Sequence, residues 1–117
     1  MATDLEGNEK LQRFIRLLCD LNHQCVDILK TGNTELLYSM NDTVEEMYQI
    51  QSQGTEDAYT AIDEDAQIIY KNFNAVIAMF SSNEEGKTDA ATAGAIKKFV
   101  HNIFDANVRI VLAYGLA

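Results

Sequence analysis

Apolar residues recur at every third or fourth position in four long segments of this chain, and this spacing constrains the fold more than any other feature. The first segment carries the repeat through Leu11, Phe14, Leu18, Leu21, Cys25 and Ile28. Residues spaced three and four apart lie on one face of an α-helix. The sequence contains no proline, so no residue of that type interrupts long helices.

Three further segments show the same spacing. The second seam is Leu37, Met40, Val44 and Met47. The third is Tyr59, Ile62, Ala66, Ile69, Phe73, Val76 and Phe80. The fourth is Ile96, Phe99, Ile103, Ala106, Ile110 and Ala113. We expect helices at approximately 4–31, 34–53, 56–80 and 89–114. Because short connections make consecutive helices antiparallel neighbours, the sequence predicts an all-α fold, an antiparallel up-down-up-down four-helix bundle formed by one domain over residues 1–117.

Length and cysteine spacing favour a single reduced domain. A chain of 117 residues with 47% apolar residues has the material for one hydrophobic core. Cys19 and Cys25 lie six positions apart in one predicted helix, a rise of about 9 Å, which is too far for a disulfide. No apolar run is long enough to cross a bilayer, and the acidic segment 1–9 is unlike a secretory signal. We therefore expect a cytoplasmic protein without membrane insertion.

Charge is distributed unevenly along the sequence. The formal net charge is −9, and residues 31–70 contain nine acids but neither Lys nor Arg. Such a surface repels nucleic acid and favours a basic partner or simple solvation. The acidic residues that we expect to face outwards are Asp42, Glu45, Glu46, Asp63 and Glu64.

Catalytic and metal-binding patterns are not recognisable. Asp20 and His23 share one helix face, but they fall at heptad positions c and f, which face water, whereas metal ligands in bundles project inwards. The consecutive acids 63–65 point in directions about 100° apart and do not converge on one site. We therefore expect no enzyme activity, no cofactor and no metal.

The fourth predicted helix carries more apolar residues than one core face needs. Its second stripe consists of Phe104, Val108, Val111 and Leu112, which fall at positions b, f, b and c. An exposed stripe of this kind is typical of an interface. A different rotation of the helix within the bundle would instead bury part of it.

These features favour a non-enzymatic protein–protein interaction module, such as an adaptor, chaperone or complex subunit, that binds another protein or a second copy of itself through this stripe. The alternative is an acidic inhibitor or immunity-type protein, or a nucleic-acid mimic, that docks a basic partner through the acidic surface. A third possibility is an apolar ligand in the core, beside Met40, Met47, Ala66 and Ala106.

Overall fold

The structure of this chain, a computed structural model, describes residues 2–33, 35–54, 57–81 and 90–115. Its helices are α1 (Ala2–Thr31), α2 (Leu36–Gln53), α3 (Asp57–Ala61), α4 (Asp63–Ser81) and α5 (Ala90–Ala113). Within the described ranges there is no strand, so the predicted all-α class is confirmed. The helix starts expected at 34, 56 and 89 lie outside the described residues.

Helix α1 ends at a glycine, as its sequence indicates. Gly32 has φ +69°, a left-handed conformation that a residue without Cβ adopts at little cost. Its backbone N–H donates to the carbonyl of Ile28 at 2.8 Å, which satisfies one of the last free carbonyls of the helix.

The segment predicted as one helix over 56–80 is divided in two at Ile62. Asp63, Glu64 and Asp65 form the first turn of α4, where negative side chains are stabilised by the exposed N–H groups of a helix start. Asp63 also accepts a hydrogen bond from Gln51 Nε2 at 2.9 Å. The apolar spacing continues unchanged through Ile62. The spacing therefore did not predict the break between α3 and α4.

The predicted seams form the core. In α1, α2 and the α3–α4 segment every seam residue is buried except Leu11 and Phe80, which are partly buried against the core. Helix α1 packs on α2 and α5, and α5 also packs on α4. Contact between α2 and α4 is much sparser. This leaves one side of the core covered less closely than the other three.

Candidate functional site

The apolar stripe of the last helix is partly absorbed into the protein. Phe104 and Val111 are partly buried and pack against the core, and Val108 is also partly buried. Leu112 alone is fully on the surface, with 58% of its area exposed. The stripe prediction thus remains untested as a partner site, but its exposed apolar surface is smaller than the sequence indicated.

A rotation of α5 explains this burial. Val100 and Asn107, both at heptad position e, are fully buried, whereas Ala113 of the predicted seam is exposed. The inward face therefore includes the e positions beside a and d, which turns its centre by about 20° from that of an a/d seam. That rotation moves the b positions of Phe104 and Val111 towards the core, which is the alternative that the sequence left open.

The hydrogen bond of Asn107 shows that the e positions of α5 pack against α1. Its Nδ2 donates to the main-chain carbonyl of Leu18 in α1 at 2.9 Å. Phe104 and Val111 lie three residues before and four after Asn107, so they share its flank of the helix. Phe104 and Val111 of the stripe therefore border the contact between α5 and α1.

The candidate acidic residues divide into paired and unpaired groups. Arg13 donates to both carboxylate oxygens of Glu46, at 2.5 and 2.9 Å. These hydrogen bonds lower the pKa of Glu46 and raise that of Arg13. Asp42, Glu45, Asp63 and Glu64 are exposed and have no ion-pair partner among the described residues. Glu46 is thus used inside the molecule, and the other four carboxylates face solvent.

Helices α2 and α4 enclose an open groove where their contact is sparse. Its volume is about 560 Å³, within the range of ordinary binding pockets. Its apolar residues are Val44, Tyr48, Tyr70 and Phe73. Its polar lining comprises Asn41, Glu45 and Gln49 from α2 and Gln67, Lys71 and Asn74 from α4. The groove therefore has apolar surface between two polar edges.

Aromatic pairs bridge α2 and α4 at two levels. Tyr38 meets Phe80 edge to face at a ring separation of 5.8 Å, and Tyr48 meets Tyr70 in the same way at 5.3 Å. Ten residues of α2 separate the two tyrosines, a length of about 15 Å. Tyr38 and Tyr48 are 67% and 55% exposed, so both rings offer a face to a partner.

Tyr70 forms a buried part of the groove wall on α4 and is hydrogen-bonded to α2. Its hydroxyl donates to Gln51 Oε1 at 2.6 Å, and the ring is buried. Burial, with a smaller effect from the nearby Asp63 carboxylate, raises the pKa of Tyr70 above its usual value. The phenol is therefore neutral at physiological pH, and its hydrogen bond holds the C-terminal part of α2 against α4.

The histidines and cysteines of the described residues form no catalytic or metal-binding cluster, although His101 contacts Asp105 at 3.2 Å on the exposed side of α5. Asp20 and His23 are both exposed on α1, as their heptad positions indicate. Cys25 is buried, which raises the pKa of its thiol to about 12. No group of three or more His, Cys, Asp or Glu side chains in the described ranges is arranged to hold a metal ion.

Sequence reasoning missed the groove, although a signal was present. Tyr38, Asn41, Glu45 and Tyr48 follow 3-4-3 spacing beside the buried seam of α2. That pattern places two large aromatic rings on one outer flank of an otherwise polar face. The complementary wall on α4 depends on how the two helices are set against each other, which spacing alone does not specify.

Comparison with known protein families, with curated proteins and with solved structures finds no match for this chain. None of the helices, over the residues that the structure describes, combines the length and the apolar character needed to span a bilayer. The case for function therefore depends on the geometry of the chain itself.

Proposed function

We propose that this chain is a non-enzymatic protein–protein interaction module that binds a partner protein in the groove between α2 and α4. The observation that carries the proposal is the groove itself, which is open, partly apolar and flanked by exposed tyrosines. Tyrosine is enriched at interfaces because its ring buries a large area while its hydroxyl remains hydrogen-bonded.

Burial favours this groove over the stripe on α5. Tyr38, Tyr48 and Leu112 are the exposed large hydrophobic residues in the described part of the chain, and two of them lie on α2. Phe104 and Val111 already contribute to the core, so polar replacements there would weaken folding as well as any association. Leu112, together with the partly buried Val108, remains the candidate contact on α5 for a partner or a second copy.

The groove is a feature of the antiparallel up-down-up-down order that we propose for α1, α2, α4 and α5. Supporting it, residues early in one helix meet residues late in the next: Arg13 meets Glu46, and Tyr38 meets Phe80. Between α4 and α5, Asp65 pairs with Arg109 at 2.8 Å. In this arrangement α3 lies near one end, where Tyr59 packs on Phe14 at a ring separation of 5.5 Å.

A second candidate function is an acidic inhibitor or immunity-type protein that neutralises a basic target. The exposed carboxylates of Asp42, Glu45 and Glu64 support it, because they have no ion-pair partner among the described residues and can meet positive charge on another molecule. We propose the cytoplasm as the working compartment in both cases, since Cys19 and Cys25 are free thiols, which are typical of a reducing environment.

Affinity capture with matched variants tests the proposed function. Tyr48→Ala removes an exposed side chain from the groove, and Leu112→Ala removes a similarly exposed one from α5. The wild-type chain and both variants are immobilised, and the proteins that each retains from a lysate of the source cells are quantified by mass spectrometry.

We expect at least one protein to be retained by the wild type and by Leu112→Ala but reduced about tenfold or more by Tyr48→Ala. Equal retention by all three chains would overturn the groove as the binding site. Loss with Leu112→Ala alone would assign the interaction to α5. Circular dichroism of each variant checks that the helices remain intact.

A further inference from the structure

We propose that the groove between α2 and α4 receives a basic amphipathic helix, a partner segment with an apolar stripe flanked by Lys or Arg. This inference rests on the proposed function and adds the chemistry of the partner.

The walls of the groove favour a helix over an extended strand. Both walls are α-helices, whose main-chain N–H and C=O groups are used within the helix. An extended peptide gains affinity by adding to the edge of a sheet, and α2 and α4 offer no such edge. An amphipathic helix needs only apolar contact along one stripe, and the segment between the two aromatic bridges is about 15 Å long, or roughly three helical turns.

The α2 edge of the groove is negative, whereas α4 carries one acid and one base along the same line. Glu45 lines the α2 edge, and Asp42 lies three residues before it on the same flank. On α4, Glu64 continues the line of Gln67 and Lys71 at 3-4 spacing. Lys71 is the one basic residue in the two helices.

Helices α2 and α4 already bind basic residues on their occupied sides. Glu46 of α2 holds Arg13 of α1, and Asp65 of α4 holds Arg109 of α5. In both cases the ion pair flanks an apolar seam between two helices. Glu45 and Glu64 directly precede these two acids but have no ion-pair partner among the described residues. Glu45, which lines the groove, and Glu64, which lies beyond its lining on α4, could therefore pair with basic residues on a further helix in the same way.

Defined peptides test this partner chemistry. The probe is a dye-labelled 18-residue helix built from about equal numbers of leucine and lysine, with leucine on one face. Two comparison peptides have glutamate at every lysine position, or the same leucine and lysine residues in scrambled order. Fluorescence anisotropy measures the binding of each peptide to the full chain at low salt and near physiological salt.

Two double variants with equal change in charge locate the binding. Glu45→Lys with Glu64→Lys reverses one acid that lines the groove and one on α4 that lies in line with Gln67 and Lys71. Asp20→Lys with Asp27→Lys reverses two exposed acids of α1. We expect the amphipathic lysine peptide to bind the wild-type chain, with weaker binding at higher salt because exposed charges are screened over about 8 Å. The groove variant should weaken binding about tenfold or more, and the α1 variant by less than about twofold.

Equal weakening by both variants would overturn the proposal, because it would indicate general attraction to an acidic protein. Equal binding of the glutamate or scrambled peptide would do the same. Amide chemical-shift changes confined to α5, or a second copy of the chain that displaces the peptide, would also contradict it. The peptide experiment can fail while Tyr48→Ala still reduces capture from lysate about tenfold. In that case the groove binds a partner of different chemistry, and the proposed function stands.

Discussion

Asn107 is the polar residue on which the packing of α5 depends. The side chain is fully buried, and its amide nitrogen is hydrogen-bonded to the carbonyl of Leu18. Its Oδ1 has no hydrogen-bond partner within the described residues. In coiled coils a single buried Asn can fix the register at a cost in stability. The hydrogen bond of Asn107 links α5 to α1 at the flank that Phe104 and Val111 share.

We predict effects of very different size for two replacements of this residue. Asn107→Asp should lower the free energy of unfolding by about 3–5 kcal/mol at neutral pH, because a carboxylate would face the Leu18 carbonyl without a donor. Asn107→Leu should change stability by less than about 2 kcal/mol, since removal of the unpaired oxygen offsets part of the overpacking by the larger side chain. Urea unfolding measures both values.

Unfolding at lower pH checks whether a buried charge causes the loss of stability in Asn107→Asp. Burial raises the folded-state pKa of the introduced carboxyl, so its penalty should shrink as the pH falls through that pKa. Asn102→Asp on the exposed side of the same helix makes the same chemical change without burial. A loss of similar size at position 102 would show that the charge on α5, and not its burial, is responsible.

The connection from α2 to α3 depends on close contact between a glycine and an aromatic ring. Gly54 has φ −82° and ψ 145°, a conformation open to most residues. A Cβ at this position would lie 2.5 Å from Tyr59 Cδ2 and closer still to Cε2. Tyr59 is 3% exposed and packs on Phe14 of α1, so the ring has little room to move. The glycine is therefore required by space and not by backbone conformation.

Alanine replacements at two glycines should separate lack of space from backbone conformation as the reason for glycine at position 54. We predict that Gly54→Ala lowers the unfolding free energy by about 1–3 kcal/mol through overpacking. Gly94→Ala, at an exposed position of α5 where no atom lies within 4 Å of the added methyl, should raise it by up to about 1 kcal/mol. Thermal and urea unfolding provide the comparison. A neutral or stabilising effect at position 54 would show that Tyr59 can move aside.

The sequence predicts the elements of this fold better than their mutual arrangement. Seams in the first three segments match the buried residues because each consists of apolar residues at unbroken spacing. The rotation of α5 stayed open in the sequence because the burial of Asn107 depends on its hydrogen bond to the carbonyl of Leu18 in α1, a contact that spacing does not predict. The groove was missed because the exposure of Tyr48 depends on how far α2 stands from α4. Heptad spacing carries no information on that distance.

At the scale of the whole molecule, several ionisable groups are protected from ionisation by folding. Burial raises the pKa of Cys25 and of Tyr114 to about 12, and it also raises that of Tyr70. In the unfolded chain these groups lose their protons at about pH 8.5 to 10. The native state therefore holds more protons than the unfolded state in alkaline solution.

We predict that the free energy of unfolding falls as the pH rises from about 8.5 towards 12. Each such group adds a slope of up to about 1.4 kcal/mol per pH unit while it is ionised only in the unfolded chain. Cys25→Ala should reduce this slope between pH 9 and 10, even though the smaller side chain lowers stability at every pH. An unchanged slope would contradict the assignment to Cys25. On the acid side, the lowered pKa of Glu46 contributes stability that is lost as the pH falls through that pKa.

Site-specific photo-crosslinking in living cells tests most directly whether the α2–α4 groove is where this protein meets its partner. A photoreactive phenylalanine analogue replaces Tyr48 in the groove, Leu112 on α5 or His23 on the outer side of α1, all of which are exposed. We predict a discrete crosslinked product of higher mass from position 48, weaker or none from 112, and none from 23. Products from position 112 alone, or from none of the three positions, would contradict the account.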